Sequence, residues 1–428
     1  MPLNRRLLQF AAFVAVAPLA MAVDLNATFA ELDRAAAREL WPGFDPSKMP
    51  VAVYDGAQTW LRNHPSPPRE FAAVADSNSL RVFKGLHESV RANTSVELGS
   101  ALTATVMLDR SPDITPRAAA ALIAHECFHV YERQHHPEWQ ANEAVLFTYP
   151  VEDARAASLA VLEREALKRA VETGDRCWAA KFASLRKDRF ASIGPEAAQY
   201  ERLAEVNEGL AQRVQNVVGG VKPDMSREFG PAEVRDRAYT FGPAIAAVLD
   251  AVAPGWKTRV RASLDELVPT AAPETCAFTQ SERDSAAATG QRQIQAIVAR
   301  RAELQRTFDS AAGWRVVIEA APGKPLMPAG FDPSNVERLD GGRVLHARWL
   351  KLANAQGSAE AMNHRSLTMA AGKHPLFNGA KTWTVLLDEQ PETKVDGGTV
   401  WIKGSGFELK FDGAKAERGE RLIRVRLE

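Results

Sequence analysis

The sequence predicts an α+β protein with a small mixed sheet, a mostly helical lobe and a C-terminal all-β segment. Short β-type runs alternate with turn residues from Val51 to Asp109, and stretches with a helical pattern then continue to residue 310. After Gly313 short β-type runs return, separated by Gly, Pro, Asn and Asp. The 428 residues suffice for two domains. We place these domains at residues 23–310 and 311–428.

The first residues, Met1–Ala22, have the three parts of a secretory signal peptide. These parts are a basic start at Arg5 and Arg6, an apolar run from Leu7, and an Ala20-Met21-Ala22 end. The apolar run is short for a membrane span, and no cysteine follows the cleavage site to carry a lipid anchor. We therefore expect an exported protein, periplasmic or extracellular, with no membrane anchor after signal cleavage.

The charge balance indicates which partners are not expected. Lys and Arg together number 53, as do Asp and Glu, and removing the signal takes away only Arg5 and Arg6. The mature chain is therefore close to neutral. A nucleic-acid partner or an anionic membrane surface favours a basic chain, so neither is expected.

A helix and a small sheet are predicted in the N-terminal part of the mature chain. Leu25–Leu40 is amphipathic and ends before Pro42-Gly43, which predicts a helix. We expect Ala101–Leu108 to be the edge strand of the sheet, bordering a cleft and able to pair with an extended peptide. The β-type runs in this region are Val51–Tyr54, Phe71–Val74, Leu80–Phe83 and Ala104–Leu108.

A long helix that follows the sheet carries the motif H-E-x-x-H. Thr115 is a good N-cap and Pro116 suits the first helical position. Two histidines four residues apart, His125 and His129, lie on one helix face and can share one metal ion. Glu126 then lies beside the metal, where it can take a proton from a bound water. The alternative is that two core histidines have this spacing by chance.

The following region is predicted to be mostly helical. The basic cluster of Arg186, Lys187 and Arg189 is expected to be a solvated helix face. The predicted helices are Val151–Thr173, Arg176–Arg189, Pro195–Val218, Gly242–Val252 and Ser281–Phe308.

The C-terminal segment is expected to be a separate β domain. Gly404-Ser405-Gly406 predicts a hairpin turn in it. Its histidines, His346, His364 and His374, have no acidic partner at ligand spacing, so we expect structural or surface roles for them. The β-type runs are Trp314–Ala320, Val344–Leu352, Thr382–Leu387, Val400–Lys403, Phe407–Phe411 and Leu422–Leu427.

The three cysteines have different expected roles. Cys127 lies in the motif helix and is expected to be a small buried apolar residue rather than a ligand. Cys177 and Cys276 could form one disulfide in an oxidising compartment. The sequence leaves that pairing open.

A catalytic zinc ion takes three protein ligands and leaves one position for water, so a third ligand is required. His135 lies six residues after His129, but Glu132 stands where a Gly would have to turn the chain. The helix therefore carries His135 away from the metal. Glu163 on the next long helix and Glu208 on a later one remain as candidates.

The motif H-E-x-x-H, followed later by Asn207-Glu208-Gly209-Leu210-Ala211, resembles the gluzincin metallopeptidases, the group that includes thermolysin. The resemblance covers these two segments and the order of elements around them, not the β segment. It implies a zincin-like domain in residues 23–310. Within that domain it implies a zinc ion held by His125, His129 and Glu208, with Glu126 as general base.

The resemblance favours Glu208 over Glu163 as third ligand, and the departures from the family pattern concern the surroundings of Glu208. The gap from His129 is longer than in thermolysin-like enzymes, which implies inserted helices. Gln212 stands where those enzymes have an aspartate that orients a histidine ligand, so Gln212 or Glu205 would take that role. Beside the ligand, Gly209 would allow close packing against the motif helix.

Tyr239 is a further candidate, because it lies just before the predicted helix start at Gly242. Related enzymes often place a phenol there that stabilises the tetrahedral oxyanion. A packed aromatic ring with its hydroxyl at the surface is an equally good interpretation.

Taken together, these features predict a zinc-dependent metallopeptidase that hydrolyses peptide bonds with a zinc-bound water and Glu126 as general base. The expected cofactor is Zn²⁺ and the expected partner is a peptide or protein substrate. The alternative is a non-catalytic secreted binding protein with a structural or vestigial metal site. Four protein ligands would indicate a structural site, and three with an open position a catalytic one.

Overall fold

The computed structural model describes residues 23–75, 77–111, 113–269, 276–332 and 335–428. It shows the predicted α+β class, with helices, three sheets and a C-terminal region made mostly of strands. The predicted signal peptide, Met1–Ala22, lies outside the described residues. No helix within these ranges combines the length and the apolar character that a membrane span requires.

The first sheet is mixed, as predicted, because β1 and β6 pair in parallel and the other neighbours are antiparallel. Its strand order is β3-β4-β2-β1-β6-β5. The six strands are β1 (Val51–Tyr54), β2 (Gln58–Arg62), β3 (Ala72–Ala73), β4 (Leu80–Lys84), β5 (Thr94–Leu98) and β6 (Ala101–Met107).

The prediction that Ala101–Leu108 is the edge strand is wrong. Strand β6 lies between β1 and β5, so β5 (Thr94–Leu98) forms this edge of the sheet. The residues from Thr103 to Met107 are all buried, so both faces of the sheet are covered along this part of β6. The run Thr-Ser-Val-Glu-Leu of β5 is short and half polar, so it gives a weak strand signal, but such sequences suit sheet edges.

Each α helix corresponds to a predicted one, with ends displaced by a few residues except at the start of α6. Thr115 caps the motif helix α2 by accepting a hydrogen bond from the backbone N–H of Ala118, and Gly174 ends α3 in the left-handed conformation. The helices are α1 (Leu25–Ala36), α2 (Pro116–His135), α3 (Ala154–Thr173), α4 (Arg176–Ile193), α5 (Pro195–Gly219), α6 (Val234–Val252) and α7 (Gln280–Ser310).

Helix α6 begins at Val234, so Gly242 and Pro243 lie inside it rather than at its start. A Gly-Pro pair commonly marks a helix start, but here the glycine has a packing role. A Cβ atom at Gly242 would lie 2.4 Å from the Cα of Gly209 on α5, and a Cβ at Gly209 would lie 2.6 Å from the Cα of Gly242. The two helices therefore cross in backbone contact, and the close packing predicted for Gly209 is against α6 rather than against the motif helix.

The prediction of a solvated basic face on α4 is wrong for Arg186 and Arg189, which are 0% and 1% exposed, and correct for Lys187, which is exposed. Arg186 donates to Glu163 on α3 at 2.8 Å and to Glu205 on α5 at 2.5 and 2.6 Å. Arg189 donates to Glu163 at 2.5 Å and to Glu201 on α5 at 2.6 Å. This buried network of ion pairs joins α3, α4 and α5.

The C-terminal strands form two antiparallel-rich sheets that share one hydrophobic core, which contains Trp383 and Phe411 among residues of both sheets. The seven-stranded sheet has the order β18-β19-β7-β14-β13-β10-β9 and the six-stranded sheet the order β15-β16-β17-β12-β11-β8. The strands are β7 (Trp314–Glu319), β8 (Met327–Phe331), β9 (Val336–Arg338), β10 (Arg343–His346), β11 (Trp349–Asn354), β12 (Gly357–Met362), β13 (Ser366–Ala370), β14 (Ala380–Leu387), β15 (Glu392–Asp396), β16 (Thr399–Gly404), β17 (Phe407–Asp412), β18 (Ala414–Gly419) and β19 (Leu422–Leu427).

The predicted hairpin turn is confirmed, and the cysteine pairing is decided. Gly404 pairs with Phe407 in the β16–β17 hairpin, so Ser405 and Gly406 form the predicted turn, and Gly406 has a φ of 66°. Cys177 and Cys276, whose pairing the sequence left open, form a disulfide.

The chain divides into two compact units. The first comprises Met1–Glu138 and Leu210–Pro223, and the second comprises Trp139–Gly209 and Asp224–Glu428. The division falls inside α5, which is one continuous helix. The predicted domain boundaries, 23–310 and 311–428, stay a prediction.

Candidate metal centre

Helix α2 presents the two motif histidines to each other one turn apart. The Nε2 atoms of His125 and His129 are 3.1 Å apart, with ring centroids at 4.8 Å and an interplanar angle of 79°. Two nitrogens bound to one zinc ion at about 2.0–2.1 Å in tetrahedral geometry lie roughly 3.3 Å apart. The pair is therefore arranged as two ligands of one ion would be.

Glu208 on α5 completes the candidate centre. One ligand atom from each of His125, His129 and Glu208 lies within 4.8 Å of the other two. His125 is buried, and the side chains of His129 and Glu208 are 18% and 13% exposed. Among the described residues these are the acidic, histidine or cysteine side chains that could hold one ion. The donor set of two imidazoles and one carboxylate fits zinc and leaves one coordination position open.

Glu126, the predicted general base, is 6% exposed on the same helix. It directly follows His125, so its side chain leaves the helix next to the metal-binding face. Cys127 is fully buried, and burial raises the pKa of its thiol far above the usual range, with Glu126 adding to the effect. Cys127 is thus the small buried residue that the sequence predicts, and a neutral one.

Glu132 orients His129, a role that the sequence reasoning missed. Its Oε2 lies 2.8 Å from the Nδ1 of His129, three residues earlier on α2, and its side chain is 0% exposed. A carboxylate on Nδ1 fixes the ring and leaves Nε2 with its lone pair available to a metal. The signal was in the sequence, because a glutamate three residues after the second histidine lies on the same helix face.

We expect Glu132→Gln to lower the zinc affinity of the chain by about tenfold or more, because histidine-orienting carboxylates have effects of this size. The amide keeps the shape of the side chain but removes the charge that holds His129. Competition with a chelating dye measures the affinity. A matched control is Glu138→Gln, which alters an exposed glutamate 3.4 Å from His136. Equal losses in both variants would contradict the role given to Glu132.

The residues predicted to orient a histidine ligand have other partners. Glu205 is bonded to Arg186 in the buried ion-pair network. Gln212 donates through its side-chain nitrogen to Asn216 at 2.9 Å. Glu132 gives His129 the kind of support that the resemblance suggested from Gln212 or Glu205.

Two alternatives for the third ligand lie elsewhere. Glu163 is fully buried between Arg186 and Arg189, whose charges overcome the effect of burial and lower the pKa of its carboxyl. His135 lies exposed at the end of α2, where its Nδ1 is 3.0 Å from the carbonyl oxygen of Tyr131. Neither belongs to the cluster of His125, His129 and Glu208 that could hold a metal ion.

Polar side chains from α5, from α6 and from the short helical turn Glu143–Phe147 lie around Glu208. Arg235 donates to its Oε1 at 2.6 Å and lies 3.6 Å from Glu143, which accepts from the Tyr200 hydroxyl at 3.2 Å. Tyr239 also hydrogen-bonds to Glu208. Burial raises the pKa of Glu143, and the charge of Arg235 opposes this shift.

Tyr239 lies in the second turn of α6 rather than before the helix start. Burial raises the pKa of its phenol well above the usual range, and the carboxylate of Glu208 adds to the shift. Tyr239 is therefore a neutral hydrogen-bond donor at physiological pH. Its predicted contact with an oxyanion stays a prediction.

The histidines of the β-rich segment have structural surroundings. His346 is buried, which lowers the pKa of its ring to about 3, and its Nε2 lies 3.3 Å from the Thr368 hydroxyl. The Nε2 of His374 lies 3.1 Å from the carbonyl oxygen of Ala144. His364 is half-buried, and its Nε2 contacts the carbonyl oxygen of Ser405.

Comparison with protein-family models, with curated proteins and with solved structures found no match for this chain.

Proposed function

We propose that this protein is a secreted or periplasmic zinc-dependent metallopeptidase of the gluzincin type. One observation carries the proposal: ligand atoms of His125, His129 and Glu208 converge within 4.8 Å, although Glu208 lies far from the histidines in sequence. A chance H-E-x-x-H in a helix gives no reason for a carboxylate from another helix to meet it. The acidic residue inside the motif, Glu126, has no use in a purely structural site.

Zinc bound by these three residues would supply Lewis-acid chemistry, acidifying a water molecule and polarising a carbonyl group. Glu126 would accept the proton of the attacking water and return it to the leaving amine. Glu132 holds His129 in position through Nδ1. We assign Tyr239 the stabilisation of the oxyanion, for which its neutral hydroxyl would have to turn its one proton from Glu208 to the substrate oxygen.

The proposed substrate is a peptide or protein in extended conformation. Strand β5 ends the first sheet and offers one edge for pairing, so the role proposed for Ala101–Leu108 passes to Thr94–Leu98. The Nη1 of Arg133 on α2 donates to the Oγ of Ser95 at 2.7 Å, which connects this edge to the motif helix.

Export is supported by two features of different kinds. Met1–Ala22 has the composition of a signal peptide. The disulfide between Cys177 and Cys276 belongs to the chemistry of an oxidising compartment.

The alternative function, a non-catalytic binding protein with a structural metal, has less support. A structural zinc site has four protein ligands. The described residues bring three such side chains together.

Metal dependence tests the proposal. We expect the purified mature chain to hold about one zinc ion and to cleave an unstructured protein substrate, because three ligands leave one position open. A chelator should abolish cleavage, and added zinc should restore it. Metal analysis and product mass spectrometry measure these properties.

His129→Ala is the control, and it should lose both the metal and the cleavage. Zinc binding without cleavage of any substrate in a broad peptide library would favour the binding protein. Wild-type chain that holds no metal would overturn the peptidase and leave only a binding protein with a vestigial site.

A further inference from the structure

The third ligand of the candidate centre is held by a line of polar side chains that the proposed chemistry does not use. Glu208 accepts from Arg235, Arg235 faces Glu143, and Glu143 accepts from Tyr200, at 2.6, 3.6 and 3.2 Å. Arg235 and Tyr239 lie one turn apart on α6, and the guanidinium is 5.6 Å from the phenol ring centroid.

The carboxylate of Glu208 can serve an arginine and a metal at the same time. An ionised carboxylate has two oxygens with about four lone-pair sites. A guanidinium on Oε1 fixes the torsion of the side chain and leaves the other sites to the ion. Because a glutamate has three rotatable bonds, holding it before the metal arrives removes an ordering cost from metal binding.

The charge of Arg235 would by itself oppose a nearby cation. Glu143 offsets this repulsion, because its carboxylate lies 3.6 Å from the Nε of Arg235. The pair carries no net charge when both groups are ionised. What remains is the orienting hydrogen bond to Glu208.

We propose that Arg235 is a positioning residue for the third metal ligand, and that Glu143 makes this arginine compatible with a cation. The inference rests on the proposed metal site and extends it. In this inference Arg235 supports Glu208 from a different helix, in the way that Glu132 supports His129 within one helix. The opposite arrangement, in which Arg235 competes with the metal for Glu208, predicts that zinc binds more tightly to Arg235→Met.

The test is the zinc affinity of the full mature chain, measured by competition with a chelating dye. Arg235→Met should weaken zinc binding about tenfold or more, the size expected for a group that orients a ligand. Glu143→Gln should weaken it about threefold, because Arg235 then repels the ion uncompensated. When Arg235→Met is already present, adding Glu143→Gln should not change the zinc affinity further. That result would show that Glu143 acts through Arg235.

Arg227→Met is the matched control, because this arginine also pairs with two acids, Glu233 and Asp236, but does not touch a ligand. It should leave zinc affinity unchanged. Arg235→Lys should recover part of the affinity, because an ammonium can donate to one oxygen of Glu208. Cobalt substitution adds a second readout, since a misplaced carboxylate changes the absorption spectrum of the bound ion.

The outcomes separate the two proposals. If wild-type chain binds no zinc, the metal site itself is wrong. If wild-type binds zinc and Arg235→Met binds it equally well or more tightly with an unchanged cobalt spectrum, the positioning role is wrong and the site stands.

Discussion

Replacing Glu126 by Gln is expected to lower peptide hydrolysis by about 10³-fold, because a positioned general base contributes on the order of 10²–10⁴. The amide has nearly the same shape and cannot accept the proton of the attacking water. Since Glu126 is not one of the three proposed ligands, zinc content should stay at the wild-type level. Single-turnover cleavage and metal analysis on the same preparation measure both quantities.

The sharpest control for this result is Glu132→Gln on the same helix, because both changes convert a buried glutamate to its amide. Glu132→Gln should lose zinc affinity and regain cleavage when zinc is in excess. Glu126→Gln should keep its zinc and gain nothing from the excess. Wild-type cleavage by Glu126→Gln, or recovery of its activity by added zinc, would show that Glu126 is not the base.

The local half of the candidate site could be predicted from the sequence because its geometry is fixed within one helix. Thr115 and Pro116 define where α2 begins, and helical spacing then decides that His125 and His129 face each other. Glu132 follows from the same rule at a spacing of three residues, and could have been found in the same way.

The distant half of the site needed more than local rules. No propensity or spacing brings Glu208 to His125 and His129, and only the likeness of its segment to a known family pointed to it. The proposed role of Arg235 is even harder to predict from local sequence, because it depends on how α5 and α6 cross at Gly209 and Gly242. How two helices cross is a tertiary property. In the sequence the Gly-Pro pair at this crossing has the pattern of a helix start, so it did not indicate the crossing.

The charge cluster on α4 shows why the exposure of charged residues is difficult to predict from the sequence. Arg186 and Arg189 follow the pattern of a solvated face, because lysines and arginines are rarely buried unless paired. Their carboxylate partners come from α3 and α5, which are distant from them in sequence. The sequence therefore shows that burying these two arginines would be costly, but it does not show the carboxylates that offset this cost. A carboxylate such as Glu163 is then easily mistaken for a free ligand.

Removing Arg189 is expected to lower the free energy of unfolding by about 4 kcal/mol at pH 7, because breaking a buried ion pair leaves uncompensated charge. In Arg189→Met the carboxylates of Glu163 and Glu201 would each lose a partner that now lies at 2.5 and 2.6 Å. Arg300→Met is the control, since Arg300 forms an exposed pair with Glu337 that should contribute little. Urea unfolding followed by circular dichroism measures both variants.

The pH dependence of this loss tests its electrostatic cause. Burial alone would raise the pKa values of Glu163 and Glu201, but arginine charges, Arg189 first, outweigh it and lower both pKa values. Carboxyls with lowered pKa stabilise the wild type above their unfolded pKa of about 4.3, and this contribution disappears as the pH falls through the folded values. In Arg189→Met the pKa values of both carboxyls should rise, so they take up protons and escape the cost of buried charge. The difference in free energy of unfolding between variant and wild type should therefore become smaller between pH 7 and pH 5.

A difference that stayed constant over this range would mean that lost packing, not unpaired charge, destabilises the variant. In that case Arg189→Lys, which keeps the charge, should be no more stable than Arg189→Met.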